Sequence, residues 1–439
     1  MAAENPEYDF PRSEMRKTRS AIFLAVKEGQ AVGRHENASS APAPRLVRRR
    51  AAAWVSWSPI MAFMLLSFMG SGAYTPYLQL HFQQRGLSAV QIGILTGVGP
   101  ALAVIMPLFW GLVGDRSRRV RRLLAITSAL AAVSFMGLPL ATAFPSLMAF
   151  SALFSAFSMA GGPLGTALIL SEAERLGTDY GRLRMWGSVG FAVGILGAGK
   201  LVGSLGTGAI FAAYSVPVLL SLLPLAWLSE AQMSSKSLHL RLVWQTLANR
   251  NLQILLIASL LWRVAASGYY TFYTIFLSGM GAKPALISAA WAVGLAGEVT
   301  VLGFSGHIAK RIGIRGLLVA GLLGSAVRWA VYAVVPGPGW TLPFQLLHGL
   351  TFGATTTAAV LAVDRVFPPE LRSTGQGVLG IVMWGVGGLL GSVLAGFAFE
   401  AMGVRWLFAL SALAAAATGL LAYAALGATT QPARPGLPR

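Results

Sequence analysis

Ten residues of this chain read Trp110-Gly111-Leu112-Val113-Gly114-Asp115-Arg116-Ser117-Arg118-Arg119. This charged stretch lies between two apolar runs, 90–113 and 122–141, and each run is long enough to cross a bilayer as a helix. Similar runs recur along almost the whole chain after residue 53. Only 11% of the 439 residues are charged, against about 25% in a typical soluble protein. The composition therefore predicts an all-α membrane protein.

The apolar runs predict twelve transmembrane helices. They cover residues 58–80, 90–113, 122–141, 147–170, 184–205, 208–228, 252–277, 285–307, 317–335, 341–363, 374–398 and 405–427. The polar stretch 229–251, expected to be a central cytoplasmic loop, separates an N-terminal six-helix bundle at 54–228 from a C-terminal one at 252–427. Residues 1–53, rich in charge, Ala, Ser and Pro, predict a disordered cytoplasmic tail, and residues 428–439 a second tail.

Basic residues are distributed unevenly over the two sides of these predicted helices. Of the 34 Lys and Arg residues, 28 fall in the tails and in the loops on the side of the N-terminus, four on the other side and two within spans. The positive-inside rule then predicts a multi-pass protein of the cell (inner) membrane with both termini in the cytoplasm. Because topology explains the net charge of +19, we expect no nucleic-acid binding.

The two halves of the chain carry similar sequences in the same order. Residues 73–77 match 269–273 at an offset of 196, residues 111–116 match 306–311 at 195, and residues 185–190 match 383–388 at 198. Three matches at nearly constant spacing indicate an internal duplication. Six spans in each copy would give both copies the same orientation in the membrane, which is the arrangement of parallel repeats.

The stretch 110–119 resembles the signature of the major facilitator superfamily, in which a glycine, three residues and Asp-Arg precede basic residues between the second and third helices. Arg118 stands where that signature has a later glycine, and Lys310 replaces the acid in the second copy. Residues 180–188, 345–353 and 375–377 resemble the phenylpropionic acid permease and nucleoside/proton symporter group, which is similar to the lactose permease group. The resemblance implies two pseudo-symmetric six-helix bundles and proton-coupled uptake of substrates that range from aromatic acids to nucleosides.

Four ionisable side chains stand within apolar spans of the second half: Arg263, Glu298, Arg328 and His348. Charged groups in hydrocarbon are costly and usually face an interior cavity. A rise of 1.5 Å per residue places all four near the middle of their helices, so they could meet there. Their counterparts 195 residues earlier, Phe68, Ala103, Val133 and Leu153, are all apolar. The polar set therefore belongs to one half and is not part of the shared packing.

These four residues predict proton coupling. Glu298 is the expected proton carrier, assisted by His348 and Arg328, because an apolar setting favours the neutral carboxyl and a movable arginine would favour the charged one. One of the two arginines would neutralise Glu298, and the other would bind an anionic substrate. A static ion pair of Glu298 with Arg263 or Arg328 is the alternative. His348 could instead form only a hydrogen bond between helices.

The predicted substrate site combines cationic, aromatic and amide side chains. Its residues are Arg263, Tyr270, Tyr273, Gln345, His348, Tyr74 and Tyr77. Tyrosine offers a flat apolar ring and a hydroxyl to an aromatic or ring-shaped ligand. The alternative for the tyrosines is a place in the aromatic belt at the membrane interface.

Asp115, Arg116 and Arg119 are predicted to gate the transporter by latching the two halves on the cytoplasmic side. The alternative is that these charges only set the topology.

We thus expect a secondary active transporter, a proton-coupled symporter that imports a small organic solute by alternating access. An aromatic carboxylate such as phenylpropionate is the favoured substrate, and a nucleoside or sugar symporter or a drug efflux antiporter of the same fold is the alternative. The expected partners are substrate, protons and the lipid bilayer, and we expect a monomer without metal or cofactor. The absence of cysteine excludes thiolate sites, and no cluster of catalytic residues suggests an enzyme.

Overall fold

The computed structural model describes residues 58–231 and 245–426. The predicted tails at 1–53 and 428–439, and residues 232–244 of the predicted central loop, lie outside this range. The helices are α1 (Pro59–Tyr74, continued by Leu78–Gln84), α2 (Ala89–Ser117), α3 (Val120–Leu140), α4 (Phe144–Leu176), α5 (Tyr180–Leu205), α6 (Ala209–Ala226), α7 (Arg250–Gly279), α8 (284–312), α9 (314–334), α10 (Pro338–Gln345 and Gly349–Val366), α11 (Arg372–Met402) and α12 (Val404–Ala425). Helices α8 and α9 are the parts of one element, Pro284–Val334, broken at Gly313, which has φ 72° and ψ 170°.

The helices of the described residues agree with the predicted all-α class, and each predicted span overlaps one of them. Nine elements in the described ranges are long and apolar enough to cross a membrane, or ten with the two parts of α10, which meet at 41°. Pro59–Tyr74, with 16 residues, is shorter than this length. The count of twelve crossings therefore stays a prediction, although the all-α membrane class is confirmed.

Helices α1 and α5 approach closely because glycines line their contact. A Cβ added to Gly190 would lie 2.1 Å from the carbonyl oxygen of Leu65, and one added to Gly194 would lie 2.1 Å from that of Met69. Such distances leave no room for any side chain. Small residues let backbones of membrane helices pack closely, so these two glycines set the position of α5 against α1.

An arginine caps the end of a helix at equivalent places in the two halves. Arg121, at the start of α3, donates to the carbonyl oxygens of Ala226 and Leu228 at 2.7 and 2.9 Å, beyond the last turn of α6. Arg315, at the start of α9, donates to the carbonyl oxygen of Tyr423 in the last turn of α12. A cation stabilises the negative end of a helix dipole. The same arrangement in both halves supports the duplication that the sequence indicates.

Two ends of the bundle are distinguished by their loops. We call the end with residues 118–119, 177–179 and 367–371 the basic end, and the end with residues 85–88, 206–208 and 280–283 the opposite end. The halves are joined at the opposite end. There the Tyr77 hydroxyl lies 2.7 Å from the Pro284 carbonyl oxygen, and the Val90 amide donates to Glu400 at 2.9 Å.

Helices α2 and α11 bring the two halves together over only part of their length. A Cβ at Gly93 would lie 2.5 Å from the Ser392 carbonyl oxygen, and one at Gly385 would lie 2.7 Å from the Val104 side chain. Closer to the basic end, a Cβ at Gly111 or Gly380 would meet no atom within 4 Å. The two helices therefore separate toward the basic end, and the bundle opens on that side.

Candidate functional site

Arg328 of α9 is 1% exposed and is held by neutral side chains from three directions. Its Nε donates to the Tyr332 hydroxyl at 2.9 Å, and its Nη2 donates to Gln345 Oε1 at 2.6 Å. Its Nη1 donates to the Thr351 hydroxyl at 3.1 Å and lies 2.9 Å from His348 Nδ1. Four of the five N–H groups of this guanidinium are thus satisfied by fixed protein acceptors.

The contact with Arg328 determines which nitrogen of His348 carries the proton. A guanidinium can only donate, so His348 Nδ1 must accept, and the proton of the neutral ring is on Nε2. Nε2 lies 3.7 Å from Oε2 of Glu298, whose side chain is 24% exposed. A second proton on His348 would place an N–H group against the N–H of Arg328. The imidazole therefore connects the fixed cation to the partly accessible acid while it stays neutral.

The structure does not place an arginine against Glu298. Among the described residues, His348 is the recorded ion-pair partner of Glu298, and neither Arg263 nor Arg328 lies within 4.0 Å of its carboxylate. The reason is the position of the ring of His348, which occupies the space between Arg328 and the acid. The sequence showed that the three groups lie at similar depth, but it could not show their order.

Arg263 of α7 differs from Arg328 in having few partners. It is 9% exposed, and its Nη1 donates to the Ser267 hydroxyl at 2.9 Å. Its Nε is buried without a hydrogen-bond acceptor in the described residues, and no carboxylate there forms an ion pair with it. Its Cζ lies 5.0 Å from the ring centre of Tyr270 and 5.2 Å from that of Trp384. A buried cation with free donors between two aromatic rings is suited to bind an anion.

Arg263 lies at the seam of the two halves. A Cβ added to Gly388 of α11 would meet Pro100 of α2 at 2.8 Å and Nη2 of Arg263 at 3.5 Å. Pro100 belongs to the first half of the chain, and Arg263 and Gly388 belong to the second. An anion bound by Arg263 would therefore sit where the two halves meet.

The predicted tyrosines occupy different environments. Tyr270 lies beside both Arg263 and His348, because its ring is 5.0 Å from Arg263 Cζ and 6.1 Å from the ring centre of His348. Tyr273 is fully buried and donates to the Thr341 hydroxyl at 3.0 Å. Of the two, only Tyr270 lies between Arg263 and His348.

The two tyrosines of α1 are placed away from this cluster. Tyr74 packs against Phe135, Phe154 and Tyr214 within the first half. Tyr77 is fully buried and bonds across the halves at the opposite end. The structure therefore places Tyr77 at a contact between the halves and Tyr74 in an aromatic core, and it does not bring either one to Arg263.

The predicted gating residues lie at the basic end. Arg116 and Arg119 are exposed, and Asp115 Oδ1 is buried without a hydrogen-bond partner in the described residues. Because the halves are apart at this end, their role as a latch is not engaged in this conformation, and it stays a prediction.

Sequence reasoning missed several residues of this site. Tyr269 covers Arg328, with its ring centre 4.1 Å from Cζ, and Tyr332 and Thr351 accept its hydrogen bonds. Phe352 stacks on His348 at 5.7 Å, and Trp384 lies 5.8 Å from Phe352. These side chains look like ordinary apolar positions of their helices. The repeat matches that include Tyr269 and Trp384 were the available signals. Among the described residues, no group of His, Asp and Glu is arranged to hold a metal ion.

Comparison with known proteins agrees with this architecture. A model of the MFS_1 like family matches residues 58–410. The "Probable 3-phenylpropionic acid transporter" of Escherichia coli (strain K12) is 28% identical over 358 residues, which cover 79% of this chain and 93% of that protein. The "Maltose permease" of Geobacillus stearothermophilus is 26% identical over 346 residues, which cover 78% of this chain and 87% of that protein.

The crystal structure of the nucleoside transporter NupG has the same fold, with a TM-score of 0.75 at 18% identity, and the match covers 84% of this chain and 98% of that one. The family match extends over far more than half of the sequence. From this match, the chain belongs to the MFS_1 like family and is a transporter of the major facilitator superfamily, not an enzyme.

Proposed function

We propose that this transporter is a symporter that imports a small organic anion together with protons, and that an aromatic carboxylate such as phenylpropionate is its substrate. The single observation that carries the proposal is the different bonding of the two buried arginines. Arg328 is saturated by neutral acceptors and faces Glu298 through His348, whereas Arg263 keeps free donors and has no described acid partner. One cation is thus part of a proton site, and the other is available to a substrate anion.

Glu298 is the proton carrier in this proposal. It is the acid nearest to the cluster, and its side chain is 24% exposed, so a proton can reach it from a water-filled cavity. Protonation removes the negative charge that faces the Nε2–H of His348, and the neutral ring stays bonded to Arg328. The acid can therefore change charge without unfolding the buried network around Arg328.

Arg263 and Gln345 bind the substrate in this proposal, and Tyr270 links their site to His348. The guanidinium of Arg263 has the planar fork that matches a carboxylate. Gln345 is fully buried, and its Nε2 has no acceptor in the described residues, so it can donate to a bound oxygen. Because the Tyr270 ring contacts both Arg263 and His348, a substrate at Arg263 changes the surroundings of the proton site.

Neutral substrates and export are less consistent with these features. A nucleoside or sugar would leave Arg263 without an anion, although a relative is named a maltose permease. Antiporters of the superfamily usually carry a glycine-proline signature in the fifth helix, and residues 190–199 contain no proline. The relative named for 3-phenylpropionic acid supports an aromatic acid. We further propose a monomer of the cell (inner) membrane with the basic end, and hence both termini, in the cytoplasm.

Transport by purified protein in liposomes tests the proposal. Wild type should accumulate labelled 3-phenylpropionate when the outside is acidic, because one pH unit supplies about 1.4 kcal/mol, or roughly a tenfold gradient at one proton per substrate. Glu298→Gln should abolish this accumulation but retain exchange of substrate across the membrane at equal pH. Glu174→Gln, a change at an exposed acid, is the matched control and should behave as wild type.

Two results would contradict the proposal. Normal pH-driven accumulation by Glu298→Gln would show that this acid is not the carrier. Competition for uptake by a nucleoside or maltose, but not by aromatic acids, would replace the substrate class while the transport mechanism stands.

A further inference from the structure

Trp384 of α11 lies beside Arg263 and beside Phe352, the ring that stacks on His348. It belongs to a π-helical segment, Ile381–Gly387, and its side chain is 37% exposed at mid-helix. Val386 is exposed to the same extent two residues later. Positions two apart on a helix point about 200° from each other, so the two side chains face opposite sides. Trp384 is on the side of Arg263 and Phe352, so its partly exposed ring lies beside the guanidinium of Arg263.

The indole lies between Arg263, the proposed anion site, and Phe352. Its ring centre lies 5.2 Å from Cζ of Arg263 and 5.8 Å from the ring of Phe352. Phe352 in turn stacks on His348. A large, rigid, partly exposed surface thus lies beside the cation that would hold a carboxylate.

The bonding of Arg263 limits where a carboxylate can lie. Nη1 is bound to Ser267, so the free edge of the guanidinium is formed by Nε and Nη2. A carboxylate on this edge would have Trp384 and Tyr270 as its nearest aromatic neighbours. A ring joined to that carboxylate by a short chain can reach the open face of the indole.

We propose that Trp384 is a specificity-determining residue that selects substrates carrying an aromatic ring by stacking on that ring. This inference rests on the proposed function, because it needs a carboxylate on Arg263. Offset or edge-to-face aromatic pairs have an interaction beyond that of area burial. A saturated ring of similar size lacks it, so Trp384 distinguishes an aryl acid from its cyclohexyl analogue.

The competing role for Trp384 is only to support the guanidinium of Arg263 through a cation–π contact. These roles predict different results. Loss of a support would weaken every carboxylate equally, whereas loss of a stacking surface would weaken only the aromatic one.

Binding of two ligands to the purified protein in detergent separates the roles. Isothermal titration should give wild type an affinity for 3-phenylpropionate about fivefold higher than for 3-cyclohexylpropionate, as an aromatic pair of about 1 kcal/mol implies. Trp384→Ala should bring this ratio to about one, mainly by weakening the phenyl acid, and Trp384→Phe should keep most of the preference. Trp406→Ala, at a tryptophan that is 67% exposed, is the control and should keep the wild-type ratio.

Each outcome of the titrations either supports or overturns the role of Trp384. A wild-type ratio near one overturns the proposal without any variant, which covers the case in which Trp384→Ala does not fold. A preserved ratio in Trp384→Ala, or an equal loss for both acids, also overturns it and leaves the proposed function intact. If wild type binds neither acid, the proposed substrate class itself fails. Loss of both acids in Arg263→Gln, with a lost ratio in Trp384→Ala, supports both.

Discussion

Arg328 donates from Nη1 to Nδ1 of His348 at 2.9 Å, and this bond directs the remaining ring N–H toward Glu298. A buried cation is thereby placed two contacts away from a partly exposed acid, with a neutral imidazole between them. The arrangement fixes the guanidinium of Arg328 independently of the charge of Glu298.

Protein acceptors bind four N–H groups of the Arg328 guanidinium, so replacing this group should lower the free energy of unfolding. Arg328→Lys keeps the charge but cannot reproduce the bonds to Tyr332, His348, Thr351 and Gln345. We expect a loss of about 3–6 kcal/mol, because a lysine would lose at least two of these bonds and hydrogen bonds of charged groups contribute about 1.5–3 kcal/mol each. Thermal unfolding in detergent measures it, with the exposed Arg122→Lys as control. An unchanged melting temperature would show that the network adds no stability.

Replacing Arg263 should change stability less than replacing Arg328, but it should weaken substrate binding strongly. Arg263→Lys loses one hydrogen bond to Ser267, so the expected destabilisation is only about 1.5–3 kcal/mol. Its affinity for 3-phenylpropionate should fall by about 10- to 100-fold, because a lysine cannot bind a carboxylate with two parallel hydrogen bonds. Titration calorimetry at constant pH measures this. Equal affinity of both proteins for the acid would mean that the carboxylate binds elsewhere.

The contact of Tyr77 with Pro284 and Ser288 predicts a shift between conformations. The Tyr77 hydroxyl lies 2.7 Å from the carbonyl oxygen of Pro284 and from the Ser288 hydroxyl, which are in the other half. Tyr77→Phe should weaken closure at the opposite end by about 1 kcal/mol, or roughly fivefold in population.

Spin labels can report this shift, because the chain has no native cysteine. The labels are attached at Gln83→Cys and Lys283→Cys, because Gln83 and Lys283 are exposed and belong to different halves at that end. Tyr77→Phe should increase the population of long distances between the two labels. Tyr214→Phe, a change within the core of the first half, should not. Identical distance distributions for all three proteins would show that the Tyr77 hydroxyl does not stabilise closure at the opposite end.

Arg118 predicts a substitution that stabilises the protein. It ends the helix before the α2–α3 turn with φ 51°, in the left-handed region, and it stands at the glycine of the family signature. This conformation costs a non-glycine residue about 1–2 kcal/mol, and the added chain entropy of glycine offsets about 0.5–1 kcal/mol. Arg118→Gly should therefore gain about 0.5–1 kcal/mol. The reverse change, Gly177→Ala at φ 61°, should lose about 1 kcal/mol. Melting temperatures that shift in the same direction for Arg118→Gly and Gly177→Ala would contradict this reasoning.

His81, just beyond the first predicted span, predicts a dependence of stability on pH. Thr207 donates to Gln84 at 2.6 Å and therefore accepts from Nδ1 of His81 at 3.1 Å, while Nε2 is buried and has no partner in the described part of the chain. Burial, and next the charge of Arg85, lower the pKa of His81 from 6.5 to about 4. The unfolded chain therefore binds a proton below pH 6.5 that the folded protein binds only near pH 4. The folded state loses stability as the pH falls through this window and gains none above it.

The expected loss is about 1 kcal/mol, since partial exposure of His81 reduces the effect. Melting temperatures measured between pH 7 and pH 4 should decline less steeply in His81→Gln than in wild type. The exposed His307→Gln should retain the wild-type slope. A slope that does not change in His81→Gln would assign the decline to other groups.

The sequence alone determined the class of the protein and the residues of its polar site. Apolar runs and the Gly-x-x-x-Asp-Arg stretch predicted a helical transporter, because a bilayer requires long apolar helices. The comparison of repeats singled out Arg263, Glu298, Arg328 and His348, because charges in apolar helices are too costly to be incidental.

Only the tertiary structure decided how these residues are arranged around one another. Helical spacing gives depth and face, but the bend of α10 before Gly349 and the π-helical segment of α11 set where His348 and Trp384 point. As a result His348, and not an arginine, faces Glu298, and Tyr77 lies at the contact between the halves at the opposite end and not beside Arg263. Side-chain order across several helices depends on packing between elements distant in the chain, and no local pattern encodes it.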